Sequence, residues 1–449
     1  MKLKRSSGPL KALLLAMMLA ALAVGAAACG SSDSSSGTGA ETGAETTAST
    51  EAEGGGEGEG EGASEVAVWD EALTSEVGEA ELQEFIDNII QPGYPIENLP
   101  EWSIKPFEIA TQEITPEVRE KLSECLSNSS CETGHGEYTI GIADSFGGNG
   151  WRKQLRAVNT LQLLRFPGVK KIIYVDGAYE LEKVQSNFRS LVSQGVDGII
   201  GLFDFGDAML PLVKQAASAG IPVISFSQGI PSAAGDGSDL TYEVGIDPCE
   251  QGTEVGEVGT SGAPEGTVAM YTGVPGNPFA ALWQPCTKEA VEAAGWEVTT
   301  EGNTEWTPQG EAESAASLLS KGLPDTVIYD YTPTQFINKM VAAGEKPPVL
   351  AGGSADFGSY KAWLDAGKKN LQPTAYSVVT QLGYGNVAAA LAVALVSGEQ
   401  PEEVPYRVWL PAVATDYEEL APYYYADVPS TAVFNSGLPK DILKESQGE

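Results

Sequence analysis

From residue 138 to residue 229 the chain repeats one pattern: a short apolar or β-branched run, then a polar loop, then a segment of helical periodicity. The same pattern begins again near Tyr242. Strands that alternate with helices form parallel sheets that are covered on both faces. The sequence therefore predicts an α/β fold with two Rossmann-like lobes, each built on a parallel sheet. Because such sheets bind ligands beyond the carboxyl ends of their strands, we expect the site in a cleft between the lobes.

The N-terminus has the organisation of an export signal. A basic stretch precedes an apolar run over residues 12–24, and four small residues then lead to Cys29. This arrangement predicts a signal peptide at 1–28 rather than a membrane-spanning helix. The Cys after small residues is similar to the bacterial lipobox, which implies that Cys29 is lipidated and anchors the protein outside the cytoplasm to the cell membrane. The alternative is ordinary secretion, with Cys29 merely nearby.

Residues 29–66 are predicted to form a flexible acidic tether. From Gly30 to Glu65 the chain has no aromatic residue, Lys or Arg, and therefore cannot bury enough apolar surface to fold. The formal charge of the whole chain is −36. Such a charge argues against binding to nucleic acid, because phosphates require a basic surface. No apolar run after the export signal reaches the length of a membrane span.

Four cysteines follow the export signal, at Cys125, Cys131, Cys249 and Cys286. An even number in an exported chain indicates disulfides, and four cysteines allow three connectivities. We favour Cys125–Cys131 as a local loop and Cys249–Cys286 as a link between neighbouring helices of the second lobe. A zinc site is the weaker alternative, since the chain has no C-x-x-C pair and a single histidine. We expect neither a metal nor a cofactor.

Residues 67–137 precede the first sheet as an extension. Glu79–Ile90 and Pro116–Ser127 have helical periodicity and are separated by a proline-rich stretch. We interpret the extension as a cap that packs on the outside of the first lobe. A separate binding domain is the alternative, which the short length and the lack of strand patterns disfavour.

Five ordered landmarks connect the chain to a known family: FGGNGWRKQ, QGVDGIIG, AGIPVISFSQG, YTGVPGNPF and LVSGEQPEEVPYRVWLP. Through them, the region from Tyr138 to Val413 resembles the type I periplasmic sugar-binding proteins, the ribose- and galactofuranose-binding group of transport lipoproteins. The resemblance implies a hinge of three crossovers, near 241–244, 378–382 and 405–409. It also implies a small-molecule ligand and the permease of an ABC importer as partners. We expect a monomer.

These crossovers divide the chain. The first lobe would comprise 138–241 and 380–406, and the second lobe 242–379 and 407–430, with a C-terminal tail at 431–449. The resemblance also implies that the helix Tyr384–Val396 returns to the first lobe.

The loop after the first strand is the first candidate for ligand binding. It holds Ser145, Phe146, Asn149, Trp151 and Arg152 among three glycines. Glycine lets backbone approach a ligand closely, aromatic faces suit a sugar or planar ring, and arginine donates hydrogen bonds in a fixed geometry. By resemblance to an NxWR pattern in the family, the arginine contacts ligand. The alternative is that the tryptophan belongs to the core of the next helix and the arginine is a surface charge.

The other candidates follow later strands, at positions where the resemblance implies ligand contacts. They are Phe226, Ser227, Gln228, Asn277, Trp283, Trp306, Tyr331 and Ser354. Ser227 and Gln228 stand where family members carry an Asp–Arg pair, which argues against a standard pentose or hexose. Asn277 is equally suited to capping the helix that follows. Trp306 is the aromatic wall that we expect from the second lobe.

Arg152 is the main cation expected in the cleft, with Glu305 and Asp330 as its counter-charges. We therefore expect a small, mostly neutral polar ligand with a ring face, such as a modified sugar, a polyol or a nucleoside-like compound. A ligand sensor that presents its closed form to a membrane receptor is one alternative. A glycoside-acting enzyme that uses Glu305 with Asp330 is another. No GxSxG, P-loop or H-E-x-x-H motif accompanies the strand–helix turns, so a protein without catalytic activity is favoured.

Overall fold

The computed structural model describes residues 66–227, 229–378, 381–399, 401 and 404–448. The predicted signal peptide, Cys29, almost all of the tether and Gln228 lie outside these residues. Within the described ranges no helix is long and apolar enough to cross a membrane. The same ranges hold no cluster of three or more His, Cys, Asp or Glu side chains that suits a metal ion.

Helices and strands alternate through most of the described chain. The helices are α1 Ala67–Glu71, α2 Glu79–Ile89, α3 Glu101–Thr111, α4 Pro116–Ser127, α5 Gly150–Leu164, α6 Leu181–Gln194, α7 Leu210–Ser218, α8 Pro248–Thr260, α9 Pro278–Ala293, α10 Pro308–Lys321, α11 Thr334–Ala342, α12 Phe357–Gly367, α13 Tyr384–Val396 and α14 Lys440–Gln447. The strands are β1 Ser130–Glu132, β2 Tyr138–Asp144, β3 Val169–Asp176, β4 Gly198–Leu202, β5 Val223–Phe226, β6 Tyr242–Ile246, β7 Thr267–Thr272, β8 Glu297–Asn303, β9 Thr326–Tyr329, β10 Val349–Gly352, β11 Ala375–Val378, β12 Arg407–Leu410 and β13 Ala414–Asp416.

The strands form two sheets, and each sheet with its helices is one lobe. The first sheet has the order β1-β3-β2-β4-β5-β6-β12, and the second has the order β13-β11-β10-β9-β7-β8. All neighbours are parallel except β1 with β3 and β11 with β13, which are antiparallel. The predicted α/β fold of two parallel sheets is confirmed.

Two strands belong to a different lobe from the one that the sequence predicts. β6 pairs with β5, and β12 pairs with β6, so both belong to the first sheet and not to the second lobe. The chain therefore crosses between lobes after Ile246, between Val378 and Leu382, and between Leu410 and Ala414. A buried parallel strand is an apolar run whichever sheet it joins, so the pattern cannot assign it.

Helix α13 lies at the centre of the first lobe. Its residues from Tyr384 to Ala394 are all buried, and it packs against α5, β4, β5 and α3. A helix that is apolar on all sides is stable only when it is enclosed by other elements. The N-terminal extension contributes to this enclosure through α1 and α3, while α4 packs on α5. The extension also supplies β1, an edge strand that the sequence pattern does not reveal.

Both predicted disulfides are present. Cys125–Cys131 joins the end of α4 to β1, and Cys249–Cys286 joins α8 to α9 in the second lobe. Each links elements that also pack against one another.

The C-terminal segment contacts both lobes. After β13 the chain forms a 3₁₀ turn at Tyr417–Tyr423, and Tyr417 and Phe434 pack against Tyr360 of α12 in the second lobe. Helix α14 then packs on α5 of the first lobe. The part of the chain that the sequence predicts as a tail is therefore an ordered part of the described fold.

Candidate functional site

A cavity lies between the carboxyl ends of the two sheets. It is lined by Asn149, Trp151, Arg152 and Ser227 from the first lobe and by Phe279, Trp306, Asp330 and Tyr331 from the second. The lining atoms leave about 460 Å³ of space, which includes the opening to solvent. Its position matches the general rule for ligand sites in open α/β sheets.

The loop after β2 brings three predicted residues to this cavity. Asn149 is the N-cap of α5, and its side-chain oxygen accepts a hydrogen bond from the Arg152 N–H at 2.9 Å. The cap begins α5 at the cleft and presents Trp151 and Arg152 in the first helical turn. Trp151 packs on Tyr384 with a ring-centroid distance of 6.2 Å, so part of its ring is core and part lines the cavity.

Arg152 is buried between two carboxylates of its own lobe. Its side chain is 5% exposed, and it donates to Asp144 at 2.9 Å and to both oxygens of Asp204 at 2.8 and 3.0 Å. Burial opposes the charge of the guanidinium, but the two carboxylates outweigh it and raise the pKa of Arg152. Burial also raises the pKa of Asp144. We call these three side chains the Arg152 triad; it contains two carboxyl groups and one guanidinium.

The prediction that Glu305 and Asp330 balance the charge of Arg152 is wrong. Glu305 is exposed and lines a separate surface groove with Glu301 and Glu313. Asp330 lines the cavity but forms its hydrogen bonds with neutral groups. Asp144 and Asp204 are the actual partners, and Asp204 lies 52 residues from Arg152 along the chain, so no local pattern connects them.

Asp330 is the buried charge of the second lobe. Its carboxylate accepts hydrogen bonds from the Thr272 hydroxyl and from the Trp306 indole N–H at 2.9 Å. Burial raises the pKa of Asp330 to about 6, because these neutral donors stabilise the ionised form less than an opposite charge does. The sequence analysis expects Asp330 in the cleft from its position directly after β9, but as a counter-charge of Arg152 rather than as a partner of Thr272 and Trp306.

The turn after β8 holds Trp306 against the sheet. Glu305 and Trp306 both have left-handed backbone angles, with φ of 56° and 50°, and such residues persist only where the surrounding structure enforces them. A Cβ atom at Gly273 would lie 2.0 Å from the Trp306 ring. Gly273 is therefore required for the indole to lie across the end of β7 and reach Asp330.

Tyr331 lies where the lobes meet. Burial raises the pKa of its phenol, and the Trp151 backbone N–H opposes this through a hydrogen bond. That bond links the second lobe to the start of α5. Phe279 also lines the cavity. It is not among the predicted residues, although it closes the YTGVPGNPF landmark.

Within the part of the chain that the structure describes, the other predicted residues do not line this cavity. Ser145, Phe226, Trp283 and Ser354 are buried. The Ser145 hydroxyl donates to the Leu202 carbonyl at 2.7 Å and accepts from the Asp204 N–H, so it positions an acid of the Arg152 triad. Phe226 stacks on Tyr384, and Trp283 lines a small space behind Asp330. Ser145, Phe226 and Trp283 therefore lie behind residues that line the cleft.

Two further predicted residues lie beside the cavity. Asn277 caps α9, accepting from the Ala280 N–H at 2.8 Å and donating to the Val274 carbonyl at 2.6 Å. Phe146 lines an adjoining space between the lobes. As ligand contacts, the predicted residues that line the cleft stay predictions.

Comparison with known proteins identifies the family. A family model described as a periplasmic binding protein domain matches residues 140–400. The chain belongs to this family. The resemblance stated from the sequence landmarks is thereby confirmed, and the family is one of binding proteins rather than enzymes. No curated protein matches the chain.

Solved structures share the fold of this periplasmic binding protein. The arabinose ABC transporter component of Shewanella sp. ANA-3, bound to arabinofuranose, is 18% identical with a TM-score of 0.57, and the match covers 64% of this chain and 94% of that one. A solute-binding protein of Bacillus halodurans C-125 with bound myo-inositol is 20% identical with a TM-score of 0.54, covering 64% and 97%. A fructose-binding periplasmic domain of a hybrid two-component system is 17% identical with a TM-score of 0.54, covering 64% and 93%.

Proposed function

We propose that this periplasmic binding protein captures a small, neutral, ring-bearing solute of the sugar class in its interlobe cleft. The observation that carries the proposal is the composition of the cavity wall. Four aromatic side chains, Trp151 from the first lobe and Phe279, Trp306 and Tyr331 from the second, surround a few polar groups. Aromatic faces with a small number of fixed polar groups are the usual surroundings of a sugar or similar ring.

The charges of the cleft favour a neutral solute. Arg152 is already bonded to Asp144 and Asp204, so its positive charge is compensated within the first lobe. Asp330 adds a further carboxylate. An anionic ligand would therefore meet no uncompensated cation among the described residues that line this first cavity. Arabinofuranose and myo-inositol, the ligands of two proteins with this fold, are neutral ring compounds and agree with this class.

The proposal includes delivery of the solute to an ABC importer by a protein anchored through a lipid on Cys29. Two of the similar structures belong to ABC transporters. One fold relative belongs to a two-component system, so a sensor is the second candidate. Loss of solute uptake on deletion, with unchanged transcription, would favour import over sensing. A Cys29→Ser variant should leave the membrane fraction, and a variant that stays there would contradict the anchor.

A thermal-shift screen of neutral monosaccharides and cyclitols tests the binding function. We expect at least one compound to stabilise the protein, and Trp306→Ala to abolish most of that shift because it removes an aromatic wall. Trp102→Ala is the matched control, since Trp102 is a partly exposed tryptophan on α3, away from the cleft. A screen without any stabilising compound would contradict the function, and an unchanged response of Trp306→Ala would remove Trp306 from the site.

A further inference from the structure

The cavity between Arg152 and Asp330, the inner chamber, adjoins a second cavity between the lobes. This outer chamber leaves about 980 Å³ of space, which includes its opening to solvent. Asn149, Trp306 and Tyr331 line both chambers. The two chambers are therefore neighbours that meet at these three side chains.

The C-terminal segment builds one wall of the outer chamber, through Ser430 and Thr431. On the side of the second lobe, the Ser430 and Ala432 carbonyls accept hydrogen bonds from the Gly358 and Phe357 N–H groups, both at 2.8 Å. The wall is thus fixed to the start of α12. It lies outside residues 140–400, which the family model matches.

The same wall is fixed to the first lobe. The Gln154 side chain donates to the Val433 carbonyl at 2.9 Å and accepts from the Val433 N–H. Gln154 is fully buried on α5, two residues after the cleft arginine. The backbone of this wall is therefore hydrogen-bonded to both lobes, at the start of α12 and at α5.

The polar groups that face the outer chamber fall into two sets. Asp356 and Glu311 are bonded to neutral donors: Asp356 accepts from the Thr332 and Thr334 hydroxyls at 3.1 and 2.8 Å, and Glu311 accepts from the Gln335 and Phe336 N–H groups at 2.6 and 2.9 Å. These bonds hold the wall of the second lobe in place.

The second set is free to bind. Within the described residues, the Lys153 amine, the Gln335 side-chain amide and the Ser430 hydroxyl make no hydrogen bond or ion pair. Phe146 and Trp306 supply aromatic surface beside them. Uncommitted donors and acceptors next to aromatic faces are the chemistry that recognises a hydroxylated ring.

We propose that the outer chamber is a second ligand subsite and that the solute is a two-ring saccharide, with one ring in each chamber. The proposal rests on the proposed sugar-binding function and names its substrate class. The chamber that this chain adds through its C-terminal segment selects for the second ring, while the inner chamber holds the first.

Calorimetric titration of the whole protein with matched pairs of neutral monosaccharides and their disaccharides tests this inference. We expect at least one disaccharide to bind ten-fold or more tightly than either of its component monosaccharides. Gln335→Ala should lower the affinity for that disaccharide three-fold to ten-fold and change the affinity for the monosaccharide by less than two-fold. Ser430→Trp places a large side chain in the chamber and should lower the affinity for the disaccharide further. Ser320→Trp, at an exposed position near the end of α10, is the matched control and should change neither affinity.

The outcomes separate the inference from the function beneath it. Monosaccharides that bind as tightly as every disaccharide, or a Gln335→Ala variant that weakens both ligands equally or neither, would overturn the second subsite and leave sugar binding intact. Failure of all monosaccharides and disaccharides to bind would overturn the proposed function itself. Because Gln335→Ala changes only a side chain without partners, it remains informative if Ser430→Trp does not fold.

Discussion

The two lobes stabilise a buried charge at the same cleft in different ways. The first lobe surrounds Arg152 with Asp144 and Asp204, so that opposite charges compensate one another within a few ångströms. The second lobe leaves Asp330 with the Thr272 hydroxyl and the Trp306 indole, which are dipoles without net charge. The comparison teaches that one wall of the cleft depends on ion pairing, while the other keeps a carboxyl that can gain a proton near neutral pH.

The largest expected effect comes from breaking the Arg152 triad. Arg152→Met would leave two buried carboxylates without a counter-charge, and we expect the free energy of unfolding to fall by about 3–5 kcal/mol in urea denaturation. Lys153→Met is the matched control, because the neighbouring Lys153 is exposed. It should change the free energy of unfolding by less than about 0.5 kcal/mol.

A triple variant sharpens this prediction. Arg152→Met combined with Asp144→Asn and Asp204→Asn removes the stranded charges and should recover most of the lost stability. If the single and triple variants were equally unstable, packing of the arginine stem would outweigh the ion pairing.

The pH dependence of Asp330 is the next largest effect. Burial raises its pKa from 3.8 to about 6, so the folded protein binds this proton more tightly than the unfolded chain does. Below pH 4 the protonated carboxyl does not lower the free energy of unfolding. As the pH rises to about 6 the carboxyl ionises, and the free energy of unfolding falls by up to about 3 kcal/mol.

Asp330→Asn isolates that contribution. The stability of the variant relative to wild type should rise by up to about 3 kcal/mol between pH 4 and pH 7, measured as urea unfolding curves of both proteins across this range. Other acids titrate in both proteins and cancel in the difference. Parallel pH profiles would show that Asp330 is not the group whose protonation differs between the folded and unfolded states.

The smallest effect is expected from removing one neutral donor. Trp306→Phe keeps an aromatic ring but loses the N–H bond to Asp330, so the unfolding free energy at pH 7 should fall by about 1–2 kcal/mol and the pKa of Asp330 should rise further. Trp102→Phe is the control, since the Trp102 indole has no hydrogen bond among the described residues. Equal changes in both variants would mean that the indole N–H contributes no specific stabilisation.

Much of the fold follows from local patterns. The strand–helix alternation predicts two parallel sheets, and the apolar stretch at Tyr384–Val396 is the enclosed helix α13. The loop with Asn149, Trp151 and Arg152 does reach the cleft, because the loop after a parallel strand must lie at that end of its sheet. Trp306 and Tyr331 reach it for the same reason.

Other features depend on residues that are distant in the sequence. Arg152 is paired with Asp204 rather than with Glu305, and β6 and β12 join the first sheet. Residues 431–449 are not a tail, because α14 packs on α5, and Ser430 and Thr431 line a space between the lobes. Each of these features depends on which distant segments pack together. The periodicity of apolar residues is the same for the alternative arrangements, so it cannot distinguish between them.

By itself the sequence determines the class of fold, the edge of each sheet at which a ligand binds, and the aromatic and polar residue types available there. These follow from hydrophobic periodicity and from the short connections after strands, which act over a few residues. Only the tertiary structure decides which acids neutralise the cleft arginine, which neutral donors bond to Asp330, and how the C-terminal segment lines a second chamber. Apart from Asp144, which lies eight positions from Arg152, those contacts join residues tens to hundreds of positions apart. Their energies depend on burial and distance, which exist only after the chain has folded.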